Sequence, residues 1–368
     1  HILFGRRGNK SCGGMQGGRQ MNLKDKVMFI GIGCYGGKQV KEFVENYGYK
    51  GIAVNGSEQD LRALGGMNKY HLKNFDGFGG HRERALECLE QNPDFLDYIN
   101  SIEEDIIFLV FGGGGSTGSG NATIIAEMLL QEDSADKKIV CPVIALPSSS
   151  EPLIKHSNAY SAVQELQELQ DLGLGATFFI NNNVDSTYSC INSAFAKFLD
   201  TFLTNDSYGE LNNFDEAERI EMLKDSGAMT MSLMKSGTDS TVMLDKLARN
   251  GIFAPIENKV CEHVAIIHAG SDNRDIETSA VISEVGKPQN VFEGYNGRST
   301  LIACSGLDYP VEYVTKLAEM AKTAFEERKR ERKQVKKLDA LILSDEKEEV
   351  KPVRKTSKFD VLKKRMNR

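Results

Sequence analysis

The sequence predicts an α/β protein built as a doubly wound parallel-sheet domain, a long central helix, a second smaller α+β domain, a C-terminal helix and a basic tail. Three observations lead there. Apolar, strand-like runs alternate with segments of helical spacing between about residues 24 and 185. Two of the strand-to-helix junctions are rich in glycine, and the last 41 residues change abruptly in charge. Alternating strand and helix is the pattern of a parallel sheet covered on both faces.

The elements follow in order. "KVMFIGIG", residues 26–33, reads as a short buried strand running into glycine. "GGKQVKEFVENYG" has Val40, Phe43, Val44 and Tyr47 on one helical face and stops at Gly48, a good C-cap. "GIAVN" is a second strand, "HRERALECLEQN" a helix, and "DIIFLVF" a continuous apolar strand of the kind buried on both faces. The glycine run 112–120 comes next, then a helix in "NATIIAEMLLQE". "IVCPVIALP", "HSNAYSAVQELQELQDLG" and "ATFFINN" give strand, helix and strand. Residues 189–204 form one long helix, with further helices in "DEAERIEMLKDSG" and "TDSTVMLDKLARNG". "VCEHVAIIHAG", "TSAVISEVG" and "STLIACSG" read as strands of a second, smaller sheet. The helix that starts at Pro310 turns wholly charged after Phe325; its first half is expected to pack on the body.

The 368 residues suit two domains rather than one core. The expected boundaries are a non-native leader over 1–20 with the natural start at Met21, a nucleotide domain over 21–188, the central helix over 189–208, a second domain over 209–310, a C-terminal helix over 311–343 and the tail over 344–368. No stretch is apolar enough to cross a membrane as a helix, which points to a soluble, cytoplasmic protein without membrane partners. Seven scattered cysteines without a C-x-x-C pair point to reduced thiols. The net charge is −7, yet residues 328–368 carry +9, leaving −16 on the body. A basic tail on an acidic body reads as an interaction segment, for DNA, for an acidic partner, or for solubility.

In "FGGGGSTGSG", residues 111–120, six of ten residues are glycine. Each glycine inside regular structure costs about 0.5–1 kcal/mol relative to alanine, so the run asks for a reason. Lying between a strand and a helix start, it suits a phosphate cradle: glycines admit an anion to the backbone, and helix N-termini attract negative charge. Ser116, Thr117 and Ser119 add hydroxyls at the rim. It is not a Walker A loop, because Gly120 is followed by Asn121 and not by Lys-Ser/Thr. Upstream, "GIGCYG" (31–36) satisfies G-x-G-x-x-G, which alone suggests a Rossmann site for NAD and an oxidoreductase. The acid such a site needs at the end of the second strand is missing, since "GIAVN" ends in Asn55.

A strand, then a G-G-G-T-G-(S/T)-G type loop, then a helix resembles the signature of the tubulin/FtsZ superfamily. Further segments fall in that family's order: "GIGCYGG", "IAVNGSEQDL", "DGFGG", "FFINNN", "LNNFDEAERIEML" and "DSGAMTMSLMKSG", together spanning about residues 24–325. The departures are Ser116 inserted in the glycine loop, Glu218 for a second aspartate, Ser57 for an aspartate, and a basic tail in place of the adaptor peptide of cell-division FtsZ. That combination is similar to TubZ, the tubulin-like plasmid-partitioning GTPases; a cell-division or phage-spindle filament protein is the alternative.

The resemblance implies GTP and GDP as ligands, with Mg2+. It places Gly31, Gly33, Cys34 and Gly36 beside the α/β-phosphates, with Asn55 and Gly80 nearby. Gly113, Gly114, Gly115, Ser116, Thr117, Gly118, Ser119 and Gly120 would hold the β/γ-phosphates. Glu151 and Lys155 would approach the ribose, and Asn181 or Asn182, with Asn192, the guanine. No residue is assigned to a metal held by protein alone. Asp215 and Glu218, with Asn213, are the candidate catalytic residues; in the family this loop completes the site of the next subunit, which makes hydrolysis depend on head-to-tail assembly. The tail is expected to engage a DNA-bound adaptor of TubR type, with direct DNA contact the lesser option.

Overall fold

The computed structural model describes residues 22–131, 137–204, 214–235, 237–269 and 276–333. Contacts group the chain into two units, His1–Phe325 and Glu326–Arg368.

In the first unit the chain runs β1 (Val27–Ile32), α1 (Gly33–Tyr47), β2 (Lys50–Asn55), α2 (Glu58–Arg62), β3 (Asn68–His71), α3 (Ala85–Glu90), α4 (Pro93–Asn100) and β4 (Ile106–Gly112). It continues through α5 (Ser116–Gln131), β5 (Ile139–Leu146), α6 (Leu153–Gln170), β6 (Ala176–Asn181) and the central α7 (Tyr188–Thr204). Then follow α8 (Glu216–Lys224), β7 (Gly227–Met234), α9 (Ser240–Ala248), β8 (His263–Ile267), α10 (Thr278–Val285), β9 (Asn290–Gly294), β10 (Thr300–Leu307) and the start of α11 (Val311–Lys333).

The ten strands form one sheet in the order β3-β2-β1-β4-β5-β6-β7-β10-β8-β9. From β3 to β7 every neighbour is parallel; β10 is antiparallel to β7 and β8, and β8 is parallel to β9. The strands expected in a second sheet therefore continue the first, through a short β6–β7 ladder of Ala176 with Gly227 and Thr177 with Ala228.

Most central strands are buried along their whole length, as their unbroken apolar text requires. Each face of the sheet carries its own core. On one face Phe29 stacks on Phe43 at 4.0 Å, and Phe195 of α7 meets Phe43 and Phe178, each at 5.7 Å. These rings bolt α7 across α1 and β6; each fully buried aromatic contributes about 1.5–3 kcal/mol.

Two sequence expectations are corrected here, and three strands are added. "TSAVISEV" is the helix α10, not a strand: Val281 and Val285, four apart, are buried and Gly286 ends the turn. Its run of β-branched residues imitates a strand, but burial follows the helical period. The helix after the glycine run starts at Ser116, inside the run, and not at Asn121. Strands β3, β7 and β9 complete the sheet without having stood out in the sequence. As expected, the first half of α11 packs inward through Val314, Leu317 and Ala321.

The second unit is helical from Glu326 to Lys333. The leader, Asn213 and the tail beyond 333 lie outside the described residues.

Candidate functional site

The strand order places β1 beside β4, with later strands winding outward in both directions. Such a switch point opens a crevice at the carboxyl ends of the two strands, where ligands of open α/β sheets bind. Both glycine turns fall there, one after β1 and one after β4.

The first turn is as tight as a strand-to-helix junction can be. Ile32 is extended and Gly33 opens α1 with φ +77°, a left-handed conformation that favours glycine. A Cβ on Gly33 would lie 3.2 Å from the backbone nitrogen of Gly118, so the first turns of α1 and α5 face each other directly. A Cβ on Gly36 would lie 2.2 Å from the carbonyl oxygen of Val110, so α1 lies against β4 backbone to backbone. Cys34 is exposed beside this junction.

In the second turn, Gly113 N donates to Ala145 O at 2.8 Å, Gly115 N to Gly112 O at 3.1 Å, and Ser119 N to Gly115 O at 3.0 Å. Ser116 to Gly120 are therefore the opening turn of α5, whose earliest N–H groups have no intrahelical carbonyl to meet. Two helix N-termini, each worth about half a positive charge, converge on one crevice, which makes it a candidate anion site. The Ser119 Oγ is buried and without a hydrogen-bond partner among the described residues, fitting a site that awaits an acceptor.

Helix α6 backs this crevice. Glu151 accepts from Ser148 N at 3.3 Å and pairs with Lys155 at 2.6 Å. Lys155 covers the glycine turn: a Cβ on Gly114 would lie 2.9 Å from the Lys155 Cβ. Asn158 Nδ2 donates to Gly80 O at 3.1 Å and to Gly114 O at 3.3 Å. Two turns further along α6, Glu165 takes two hydrogen bonds from Arg82, at 2.5 and 2.7 Å, and one from Thr123 at 2.6 Å. Arg82 also donates to Ser119 O at 3.0 Å. Half-burial would raise the Glu165 carboxyl, but Arg82 and Thr123 outweigh it and hold the group below the usual carboxylate range. Asn158, Arg82, Thr123 and Glu165 are the supporting residues that sequence reasoning missed.

At the far end of the crevice, the Asn181 side-chain oxygen accepts from Asn183 N at 3.0 Å and from the Tyr313 hydroxyl at 2.9 Å, while Asn182 is half-buried. Asn192, on the first turns of α7, is buried; its backbone oxygen accepts from Gln39 of α1 at 3.0 Å. Its Oδ1 has no partner among the described residues, a buried acceptor that suits a ring N–H donor. Asn55 stabilises the turn after β2, donating to Asp60 at 3.0 Å and accepting from Ser57 N at 3.2 Å.

The acidic pair lies elsewhere. Asp215 caps α8 through Ala217 N at 2.8 Å, and Glu218 reaches back to Asp215 N at 3.0 Å, a reciprocal capping box. Their neighbour Glu216 pairs with Lys26, the residue that enters β1, at 2.5 Å. The first glycine turn follows the exit of β1, six residues later at about 3.3 Å per residue, and the second lies beside it after β4, so the acids sit roughly 20 Å away at the opposite end of the strands. Partial burial raises the Glu218 carboxyl, and Asp215, sharing a hydrogen bond with it, is lowered. Among the described residues no cluster of three or more His, Cys, Asp or Glu is placed to hold a metal ion.

Comparison with known proteins agrees with this geometry. The chain is 27% identical over 296 residues, 78% of its own length and 80% of the relative's, to the tubulin-like protein TubZ of Clostridium botulinum C phage. It is 31% identical over 158 residues to the cell division protein FtsZ of Methanothermobacter thermautotrophicus, covering 41% of this chain and 40% of that one. Its fold matches the crystal structure of Clostridium botulinum phage c-st TubZ with a TM-score of 0.71 at 24% identity, over 83% of this chain and all of that one. A GTPγS-form protofilament of TubZ from Bacillus thuringiensis serovar israelensis matches with a TM-score of 0.70 at 14% identity, over 85% and 95%. The family model described as Tubulin/FtsZ family, GTPase domain, matches residues 26–184, a span that holds both glycine turns and α6.

Proposed function

We propose that this chain is a filament-forming GTPase that binds GTP at the two glycine turns and hydrolyses it where successive subunits meet head to tail. The observation that carries the reading is the separation of the two halves of the chemistry. The anion crevice lies at the carboxyl edge of the sheet, and Asp215 and Glu218 lie at the opposite edge. One subunit cannot bring both to one phosphate, whereas a head-to-tail row of identical subunits does so at every junction, and such a contact propagates without closing. Within this reading Gly113–Gly115 and the first turn of α5 hold the terminal phosphates, and Lys155 with Glu151 flanks the ribose. Asn192 or Asn182 reads the base, and Asn213, Asp215 and Glu218 orient or deprotonate water in the neighbour's site. Mg2+ would come with the nucleotide, coordinated chiefly by phosphate oxygens and water.

The filament would serve plasmid or phage DNA segregation, with the basic tail engaging a DNA-bound adaptor. The likeness to the phage TubZ and the +9 charge of residues 328–368 support that assignment. The test is direct. Purified protein with GTP, and with a slowly hydrolysed analogue, is followed by phosphate release, sedimentation and electron microscopy. GTP-dependent filaments that persist with the analogue are expected. Failure to bind guanine nucleotide, or bound nicotinamide, overturns the reading. Deleting 345–368 is expected to spare assembly and abolish adaptor capture.

A further inference from the structure

We propose that Asn158 is a positioning residue of the triphosphate site, one that makes the segment 76–81 respond to what the glycine turn holds. This rests on the GTPase reading and goes beyond it. Asn158 is about one turn beyond Lys155 on α6, and it is 5% exposed. Its amide nitrogen has two hydrogens, and the structure spends them on two different loops, Gly80 O at 3.1 Å and Gly114 O at 3.3 Å.

The two loops need such a tie for different reasons. The segment around Gly80 has three residues in the left-handed region, Gly77, Gly79 and Gly80 at φ +80°, +62° and +89°. Backbone so permissive holds one shape only when anchored from outside. Its anchors are the buried ring of Phe78, the packing of Ile154 against Gly80, and the Asn158 bond. Gly114, by contrast, sits between β4 and α5 in the crevice itself, pressed under Lys155. A shift of Gly114 as a terminal phosphate is gained or lost moves one acceptor of a shared amide, and the other acceptor lies in segment 76–81. Ile154, Lys155 and Asn158 lie on α6, so the helix acts as the common strut.

The experiment uses the full chain with Asn158→Asp and Asn158→Ala. The aspartate is isosteric but presents oxygens to two carbonyl oxygens; the alanine removes both donors. Affinities for GTPγS and GDP are measured by titration calorimetry, and hydrogen exchange of segment 76–84 is followed with each nucleotide. The wild type is expected to protect 76–84 more with GTPγS than with GDP. Both variants are expected to lose that difference and to lower the GTPγS-to-GDP affinity ratio about tenfold. Equal loss of affinity for both nucleotides, with the exchange difference retained, reduces Asn158 to packing and overturns the proposal. Should either variant fail to fold by circular dichroism, Asn158→Ser, which keeps a single donor, is judged by the same ratio. A wild type that binds neither nucleotide overturns the GTPase reading instead.

Discussion

Lys26 and Glu216, 190 positions apart in the chain, form an ion pair at 2.5 Å that ties the start of α8 to the entry of β1. The pair is partly exposed and contributes little to stability on its own. Its importance is positional. It fixes the acidic turn of Asp215 and Glu218 at the edge of the sheet where β1 begins, while the anion crevice opens where β1 ends.

In the proposed function that placement separates binding from cleavage. Asp215→Ala or Glu218→Ala should leave GTP affinity within about threefold of wild type while lowering turnover by roughly a hundredfold, the usual scale for losing a general acid or base. Filaments should persist longer because their GTP is spent more slowly. Both residues also cap α8, and losing a cap costs about 1 kcal/mol. Asp215→Ser retains a capping oxygen without a carboxylate and separates the effects. Turnover as low as in the alanine variant, with wild-type melting, is the expected result; wild-type turnover in all three would reject the assignment.

The first glycine turn should tolerate no side chain. Gly33→Ala forces a left-handed alanine, costing about 1–2 kcal/mol, and sets a methyl 3.2 Å from Gly118 N, in the crevice proposed to hold the phosphates. The chain is expected to fold and to lose at least tenfold in nucleotide affinity. Gly36→Ala puts a methyl 2.2 Å from Val110 O and should destabilise the whole domain, lowering the melting temperature with or without nucleotide. Calorimetric titration and thermal melts distinguish the two.

The glycine turns were legible in the sequence because their signal is local: spacing, an apolar strand before, a helical pattern after. The support behind them was not. Arg82 and Glu165 are 83 positions apart, and Asn158 and Gly114 are 44 apart, so neither pairing leaves a mark in any window. The sheet was legible where strands are continuous and apolar, as in β4. It was obscured in β7, whose methionines and alanine fit helix and strand alike, and in α10, where valine and isoleucine suggest the wrong period. The acidic pair was visible as residues, but its distance from the crevice emerged only from the Lys26 contact.

The Arg82–Glu165–Thr123 cluster makes a pH prediction. The folded-state carboxyl of Glu165 is lowered, against an unfolded value of about 4.3. A lowered carboxyl contributes stability that is present above the unfolded value and lost as pH falls through the folded one. Glu165→Gln should therefore melt at a lower temperature than wild type at pH 7, and the gap should narrow as pH drops below about 4.3. A gap independent of pH would mean that the carboxylate charge contributes nothing to holding α5.

The strongest test of a divided site mixes two inactive proteins. Asp215→Ala keeps the crevice and lacks the acid. Gly118→Val keeps the acid and blocks the crevice, because a Cβ there already lies 2.9 Å from Ile32 O. Each alone should release phosphate at a few per cent of the wild-type rate or less. Mixed in equal amounts above the assembly threshold, with random order along the row, about a quarter of junctions pair a working crevice with a working acid. Phosphate release should recover toward that fraction, fall away on dilution, and depend on both partners. If the mixture stays as inactive as its parts while electron microscopy shows mixed filaments, the acid acts within its own subunit or not at all. If Gly118→Val is excluded from filaments, the milder Gly33→Ala replaces it under the same criterion.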